Sequence, residues 1–281
     1  MCKAYCSIAE LYLTDLCYEL DAEMKCEEAI QNAFIYDDPQ ATPDVFQALA
    51  NLRLSQSSEE QRLEAYSYMI KAYDRMKVGC EALAQLVGLG SKEEEEEEEE
   101  DDDKDAHVEK YSSHEIEKHH PSSTFDTNAL ELKDEILQAV NALPPFEFRC
   151  QSVKILLECA SLLMKKTMNV PVSSTTMVDT CVEASIQILG SLLAENDEVP
   201  EIFYLLGTAF LSSTCPNPES ANFYFQRALD MTQKIKQDME KDYVKGMMVD
   251  DKWEDDHDDI IGRIEDINQK MAEIQQMNEN V

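Results

Sequence analysis

The sequence predicts an all-α fold in which pairs of helices stack into a solenoid. Apolar residues recur three and four positions apart, which is the period of a helix with one buried face. Small residues recur at matching places in successive helices, where two backbones can approach closely. The 281 residues include only seven glycines, and no alternating segment is bounded by hairpin turns, so a β fold is not expected.

The clearest pattern lies between residues 203 and 228. A glycine inside a helix costs roughly 1 kcal/mol relative to alanine, so Gly207 predicts a close contact with a neighbouring helix. The pattern consists of Phe203, Leu206, Gly207 and Phe210 in a first helix and of Ala221, Phe225 and Ala228 in a second. This spacing is typical of the tetratricopeptide repeat and predicts a right-handed superhelix of helix pairs.

One such pair cannot bury its own apolar face, so further pairs are expected. A weaker unit spans residues 148–193, with Val153 where a small residue is expected and a long loop from Thr167 to Thr176. An irregular helical bundle has the same periodicity, but the recurring small residues favour stacked repeats. The two clearer copies are Tyr5, Ile8, Ala9 and Tyr12 with Cys26, Ile30 and Ala33, and Phe46, Leu49, Ala50 and Arg53 with Ala65, Met69 and Ala72.

These patterns divide the chain into five parts. We expect two repeats at 2–87, a disordered acidic insertion at 88–127, a helical connector with two further repeats at 128–245, an acidic linker at 246–259 and a C-terminal helix at 260–278. The isoleucine stripe of that last helix has heptad-like spacing, but it is short for an independent coiled coil. We therefore expect the helix to cap the last repeat, with docking of a partner helix as the alternative.

Charge is the second strong signal. The chain has 58 acidic and 24 basic residues, a formal net charge of −34. Residues 93–105 and 250–259 account for half of it, so the rest lies in the repeats and connectors. Binding of nucleic acid depends on lysine and arginine and is not expected. The charge favours a basic protein or peptide as partner, although acidic runs also serve only to keep chains soluble.

No catalytic, cofactor or metal site is predicted. All five histidines, His107, His114, His119, His120 and His257, lie in polar, low-complexity segments that cannot hold a base rigidly beside a nucleophile. No phosphate-binding glycine loop or C-x-x-C pair occurs. Nine cysteines, mostly within helical patterns, suggest reduced thiols. No signal peptide and no apolar run near 18 residues is evident, so a membrane partner is not expected.

Four distinctive strings span most of the chain. They are CSIAELYLTDLC at 6–17, ALANLRLSQ at 48–56, PPFEFR at 144–149 and LLAENDEV at 192–199 leading into FYLLG at 203–207. In this order the strings resemble the tetratricopeptide-repeat assembly chaperones of the large-subunit ribosomal protein L-four. Members of that family carry further repeats ahead of the first string, so the resemblance implies that those repeats are missing here.

The resemblance implies a dedicated chaperone in the nucleus and cytoplasm. Such a protein binds a newly made basic ribosomal protein of the L-four type in an acidic concave groove, escorts it to large-subunit assembly, and reaches nuclear import factors through that client. A tetratricopeptide-repeat adaptor for the acidic tails of Hsp70 or Hsp90 is the alternative, as is a scaffold subunit of a larger complex. The adaptor requires basic and amide side chains in the groove, which the charge pattern does not favour.

Repeat geometry predicts the groove positions, because the first helix of each pair lines the concave side. Acids outnumber bases at these positions, and the acidic ones are expected to contact client lysines and arginines. Tyr204 is expected to pack on their stems or guanidinium faces. Solvated helix faces are the alternative for each residue. The predicted client-binding residues are Glu10, Asp44, Gln47, Asn51, Glu147, Glu158, Glu201, Tyr204 and Thr208. Thr14 and Lys154 occupy equivalent positions.

Overall fold

A computed structural model describes residues 1–37, 43–99, 127–167, 173–244 and 252–279. Within these ranges the chain forms ten helices and no strand, which confirms the all-α prediction. The helices are α1 Cys2–Leu13, α2 Ala22–Ile35, α3 Asp44–Ser55, α4 Glu59–Glu99, α5 Thr127–Asn141, α6 Phe146–Thr167, α7 Ser173–Glu195, α8 Pro200–Leu211, α9 Pro218–Val244 and α10 Lys252–Glu279.

Local sequence sets several of these boundaries. Pro200 and Pro218 are the first residues of α8 and α9, where proline loses no hydrogen bond because the first turn has no partner for its N–H. The Asn217 side chain caps α9 by accepting a hydrogen bond of 2.9 Å from the backbone N–H of Ser220. Helix α5 ends at Asn141, ahead of Pro144, as the sequence predicts.

Neighbouring helices pack in pairs, and the pairs stack. The closest pairs are α1 with α2, α3 with α4, α6 with α7, and α8 with α9. The first helices of successive pairs also touch, in the order α1, α3, α6 and α8, while the second helices α4 and α7 pack together. Helix α5 packs on α4, and α10 packs on α9. The first helices therefore share one side of the molecule.

The small residues of the sequence pattern lie at the helix contacts. A Cβ atom added to Gly207 would lie 2.8 Å from the ring of Phe225, which confirms the predicted close approach between α8 and α9. Phe225 itself is fully buried. The alanines of the repeat pattern are likewise fully buried, each with no exposed surface: Ala9, Ala33, Ala50, Ala65, Ala72, Ala221 and Ala228.

Three clusters of buried side chains form the core. One lies between α1, α2 and α3, the largest joins α3, α4, α6, α7 and α8, and the third joins α8, α9 and α10. In the third cluster, Ile267 and Ile274 of α10 are 0% and 2% exposed and pack with Phe203 and Phe225. The isoleucine stripe is therefore the face by which α10 attaches.

Three predicted boundaries differ from the structure. Helix α4 continues to Glu99, beyond the predicted start of the insertion at 88, because glutamate is a good helix former; residues 100–126 lie outside the described ranges. Helix α10 begins at Lys252, so part of the predicted linker is helical, as acidic residues favour a helix N-terminus. Helix α7 begins at Ser173, inside the predicted loop, since serine and threonine suit a first turn.

One helix is more apolar than the sequence expectation allowed. The stretch Thr175–Glu195 within α7 is long and apolar enough to cross a membrane by length and composition. Half of its most apolar window is buried inside the protein, however, where Val178, Cys181 and Ile188 pack in the largest core cluster. Its apolar character is accounted for by that central position.

Candidate functional site

Most of the predicted groove residues meet at one place, between the first helices of three pairs. A cavity of about 500 Å³ opens between α1, α3 and the start of α6, and we call it the N-terminal groove. Five of the nine predicted site residues line it. Its lining consists of Lys3, Cys6, Ser7, Glu10, Leu13, Asp44, Gln47, Ala48, Asn51, Pro145, Glu147, Phe148 and Gln151.

The charges in the N-terminal groove are predominantly negative. Glu10 of α1, Asp44 of α3 and Glu147 of α6 contribute three carboxylates, against the single ammonium of Lys3. Among the described residues, no lysine, arginine or histidine forms an ion pair with any of the three. Their charge is thus available to a cationic group that enters the groove.

The walls between these acids are apolar. Leu13, Ala48, Pro145 and Phe148 contribute hydrocarbon surface. Burial raises the pKa of the Cys6 thiol, and the negative charge of Asp44 adds to that effect. Cys6 is therefore protonated at neutral pH and serves as another apolar wall residue. The groove combines carboxylates at three points with hydrocarbon surface between them.

The two amide side chains among the predicted groove residues have different surroundings. Gln47 is only 5% exposed, and its Oε1 accepts a hydrogen bond from the hydroxyl of Ser152 in α6. It therefore ties α3 to α6 and sets the width of the groove, a role that the sequence prediction of direct client contact did not include. Asn51 lies one turn further along α3 and is half-buried in the groove wall.

Glu158 does not belong to this cavity. It lies three turns beyond Glu147 in α6, where its Oε1 accepts a hydrogen bond of 3.3 Å from the guanidinium of Arg62 in α4. The side chain is directed to a second helix rather than to the groove shared by the first helices. The structure thus separates Glu158 from the other predicted acids and supplies it with an internal partner.

The predicted acid of α8 is already neutralised within the chain. Glu201 Oε1 lies 3.0 Å from Lys154 Nζ, and its Oε2 lies 2.8 Å from the guanidinium of Arg263 in α10. Glu201, Tyr204, Asp259, Arg263 and Asp266 line a cavity of about 450 Å³ between α8 and α10. The sequence analysis missed Arg263, whose only signal is a basic residue within the isoleucine stripe.

The two remaining predicted residues also make internal contacts. The Tyr204 ring packs 5.7 Å from that of Phe225. Burial raises the pKa of its phenol, and a hydrogen bond with Asp266 raises it further. The Thr208 hydroxyl donates a hydrogen bond of 3.0 Å to the Tyr204 carbonyl, so it is used within α8. Helix α10 therefore contacts Glu201 and Tyr204, two of the α8 residues that the sequence assigned to a client.

A buried arginine that the sequence analysis did not single out fixes the turn whose residues Pro145 and Glu147 line the groove. Arg149 is 2% exposed and donates hydrogen bonds to the Pro144 carbonyl at 3.1 Å, to the Ser191 hydroxyl at 2.9 Å and to the Glu195 carboxylate. These contacts fix the turn before α6 against the end of α7. The partners lie in or beside two of the strings that carry the family resemblance, which was the available signal.

Comparison with known proteins gives one partial similarity. No family model matches the chain. A Schizosaccharomyces pombe protein described as a probable assembly chaperone of rpl4 is 42% identical over 72 residues. That segment is 26% of this chain and 21% of the relative, so the two are alike over about a fifth of the relative's length.

Proposed function

We propose that this protein is a dedicated chaperone that binds a newly made basic ribosomal protein of the L-four type. The observation that carries the proposal is the N-terminal groove, in which Glu10, Asp44 and Glu147 surround an apolar cavity without internal ion pairs among the described residues. The partial similarity to the Schizosaccharomyces pombe protein described as a probable assembly chaperone of rpl4 supports the choice of client.

The groove suits a lysine or arginine with its hydrocarbon stem. Carboxylates bind ammonium and guanidinium groups through charge-assisted hydrogen bonds, which are about twice as strong as neutral ones. Leu13 and Phe148 offer surface to the methylene groups that precede the charge. Each of the three acids comes from a different helix pair, so the groove can contact several residues of an extended basic segment at once.

The wider architecture completes the proposal. We infer that the stacked helix pairs are tetratricopeptide repeats, supported by the buried alanines and by the contact between Gly207 and Phe225. The protein escorts its client from the cytoplasm to large-subunit assembly in the nucleus, with import factors reached through the client. No catalytic step is part of this role.

The adaptor alternative fits the groove less well. An acidic chaperone tail would meet the carboxylates of Glu10, Asp44 and Glu147, and like charges brought together on binding are costly. Asn51 is suitably placed to donate to a carboxylate, but Lys3 is the groove's one cationic side chain. Charge complementarity therefore favours a basic client.

Reversal of the groove charge tests the proposal. We expect E10K/D44K/E147K to weaken binding of purified L-four protein at least a hundredfold at moderate salt, because three favourable contacts become repulsive. The matched control is E28K/D74K/E183K, which changes the net charge equally at exposed sites on the second helices α2, α4 and α7. Equal binding by the two variants, with both folded, would exclude the groove as the client site.

A further inference from the structure

A second cavity beside α10 adjoins the one that contains Glu201 and Tyr204. It has a volume of about 430 Å³ and shares Asp259 and Arg263 with the cavity that contains Tyr204. We call it the α10 pocket, and its lining residues come from α8, α9 and α10. They are Pro200, Thr232, Ile235, Met239, Asp256, Asp259, Ile260 and Arg263.

The floor of the α10 pocket is mainly apolar. Pro200, Ile235, Met239 and Ile260 contribute hydrocarbon surface from three helices. Ile235 is 41% exposed, so its hydrocarbon surface is accessible, whereas Thr232, one turn earlier in α9, is 2% exposed. The hydroxyl of Thr232 donates to the Ala228 carbonyl, so it does not add an unsatisfied polar group to the floor.

The rim of the α10 pocket is negative. Asp256 and Asp259 lie three residues apart on the same face of α10. Among the side chains that the structure describes, which begin at Asp255 in α10, neither carboxylate forms an ion pair with a lysine, arginine or histidine. The one cation of the lining, Arg263, is held by Glu201. The pocket therefore presents two available carboxylates above hydrocarbon surface.

We propose that the α10 pocket is a second subsite for the basic client, occupied by a lysine or arginine whose stem lies on the apolar floor. This inference rests on the proposed function and adds to it a binding contribution from α10. Charge complementarity selects the occupant, since the two carboxylates of Asp256 and Asp259 attract a cation and repel phosphate or an acidic peptide. The floor selects cations on hydrocarbon stems, because lysine and arginine bury their methylene groups while the charge stays at the rim.

Two subsites on one chain have a consequence for affinity. A client segment held in the N-terminal groove raises the effective concentration of a second segment at the α10 pocket. Each site can then be weak alone while the complex is tight. Loss of the α10 pocket should lower the affinity moderately, whereas loss of the groove should lower it strongly.

Neutralisation of the rim provides the test, in the full chain with purified L-four protein as the probe. We expect D256N/D259N to raise the Kd about fivefold, since two partly exposed charge contacts are each worth up to about 1 kcal/mol. The matched control is D258N/E265Q, which removes two charges from the opposite, exposed face of α10 and should change the Kd by less than about twofold.

A second variant tests the floor independently of charge. Ile235→Ser should raise the Kd about threefold, because it removes hydrocarbon surface from an exposed position that contributes little to folding. Ile35→Ser, at an exposed position in α2, is its control. If D256N/D259N and Ile235→Ser bind as the controls do while the groove reversal abolishes binding, the second subsite is excluded and the proposed function stands. If the groove reversal also leaves binding unchanged, both are excluded.

Discussion

The N-terminal groove and the surface of α8 both carry predicted acidic residues, but these differ in whether a cation of the same chain pairs with them. Glu10, Asp44 and Glu147 have no internal cationic partner among the residues described, whereas Glu201 is held by both Lys154 and Arg263. The difference divides the predicted acids into those that the chain pairs with its own cations and those without such a partner, and only the second group is proposed to bind the client.

The prediction with the greatest change in stability concerns the packing of α10 against α8 and α9. Ile267→Ala removes a fully buried side chain from the cluster that contains Phe203 and Phe225, and we expect it to lower the free energy of unfolding by about 3 kcal/mol. Met277→Ala, at an exposed position of the same helix, is the control and should change stability by less than about 0.5 kcal/mol. Urea denaturation measures both. Equal stabilities would show that α10 is not anchored by its isoleucines.

The second prediction compares two glycines in helices. Gly207→Ala places a methyl group 2.8 Å from the Phe225 ring and should destabilise the protein by about 2 kcal/mol. Gly190→Ala in α7 meets no atom within 4 Å and should stabilise it by roughly 0.5–1 kcal/mol, the gain in helix propensity. Thermal unfolding of the two variants gives the comparison. A stabilising effect of Gly207→Ala would contradict the tight α8–α9 contact.

The third prediction compares an acid that has internal ion pairs, Glu201, with one that has none among the described residues, Glu147. Glu201→Gln should lower stability by less than about 1 kcal/mol, because its partners Lys154 and Arg263 are about half exposed and solvent screens both pairs. It should leave the Kd for the L-four protein within about twofold. Glu147→Gln should have the opposite profile, with unchanged stability and a Kd raised about fivefold. Denaturation and fluorescence anisotropy on the same samples measure both, and a reversed pattern would mean that the assignments are exchanged.

Much of this contrast could be predicted from the sequence, and the remainder depends on long-range contacts. Helical spacing and small residues identify the helix pairs and the contact at Gly207, because these features are local. Repeat geometry also brings Glu10, Asp44 and Glu147 together. The pairing of Glu201 with Arg263 joins residues far apart in sequence, and no periodicity encodes it.

Other differences have similar physical causes. The end of α4 depends on two opposing helix propensities of similar size. Gly88 and Gly90 disfavour a helix, whereas the glutamates that follow them favour one. Arg149 links the turn before α6 to α7. Its role can therefore be recognised only once the packing of these two segments is known. Sequence reasoning predicted positions of which five line the N-terminal groove, but it could not tell which positions the chain uses for its own ion pairs and hydrogen bonds.

The most direct test of the central claim is a zero-length crosslink between carboxylates and client amines, with sites identified by mass spectrometry. In the complex with purified L-four protein, client lysines should become joined to Glu10, Asp44 and Glu147, while Glu201 should remain largely unmodified because its side chain is only 20% exposed and is paired with both Lys154 and Arg263. Crosslinks concentrated on Asp74 or Glu183 of the second helices, with none in the N-terminal groove, would contradict the account.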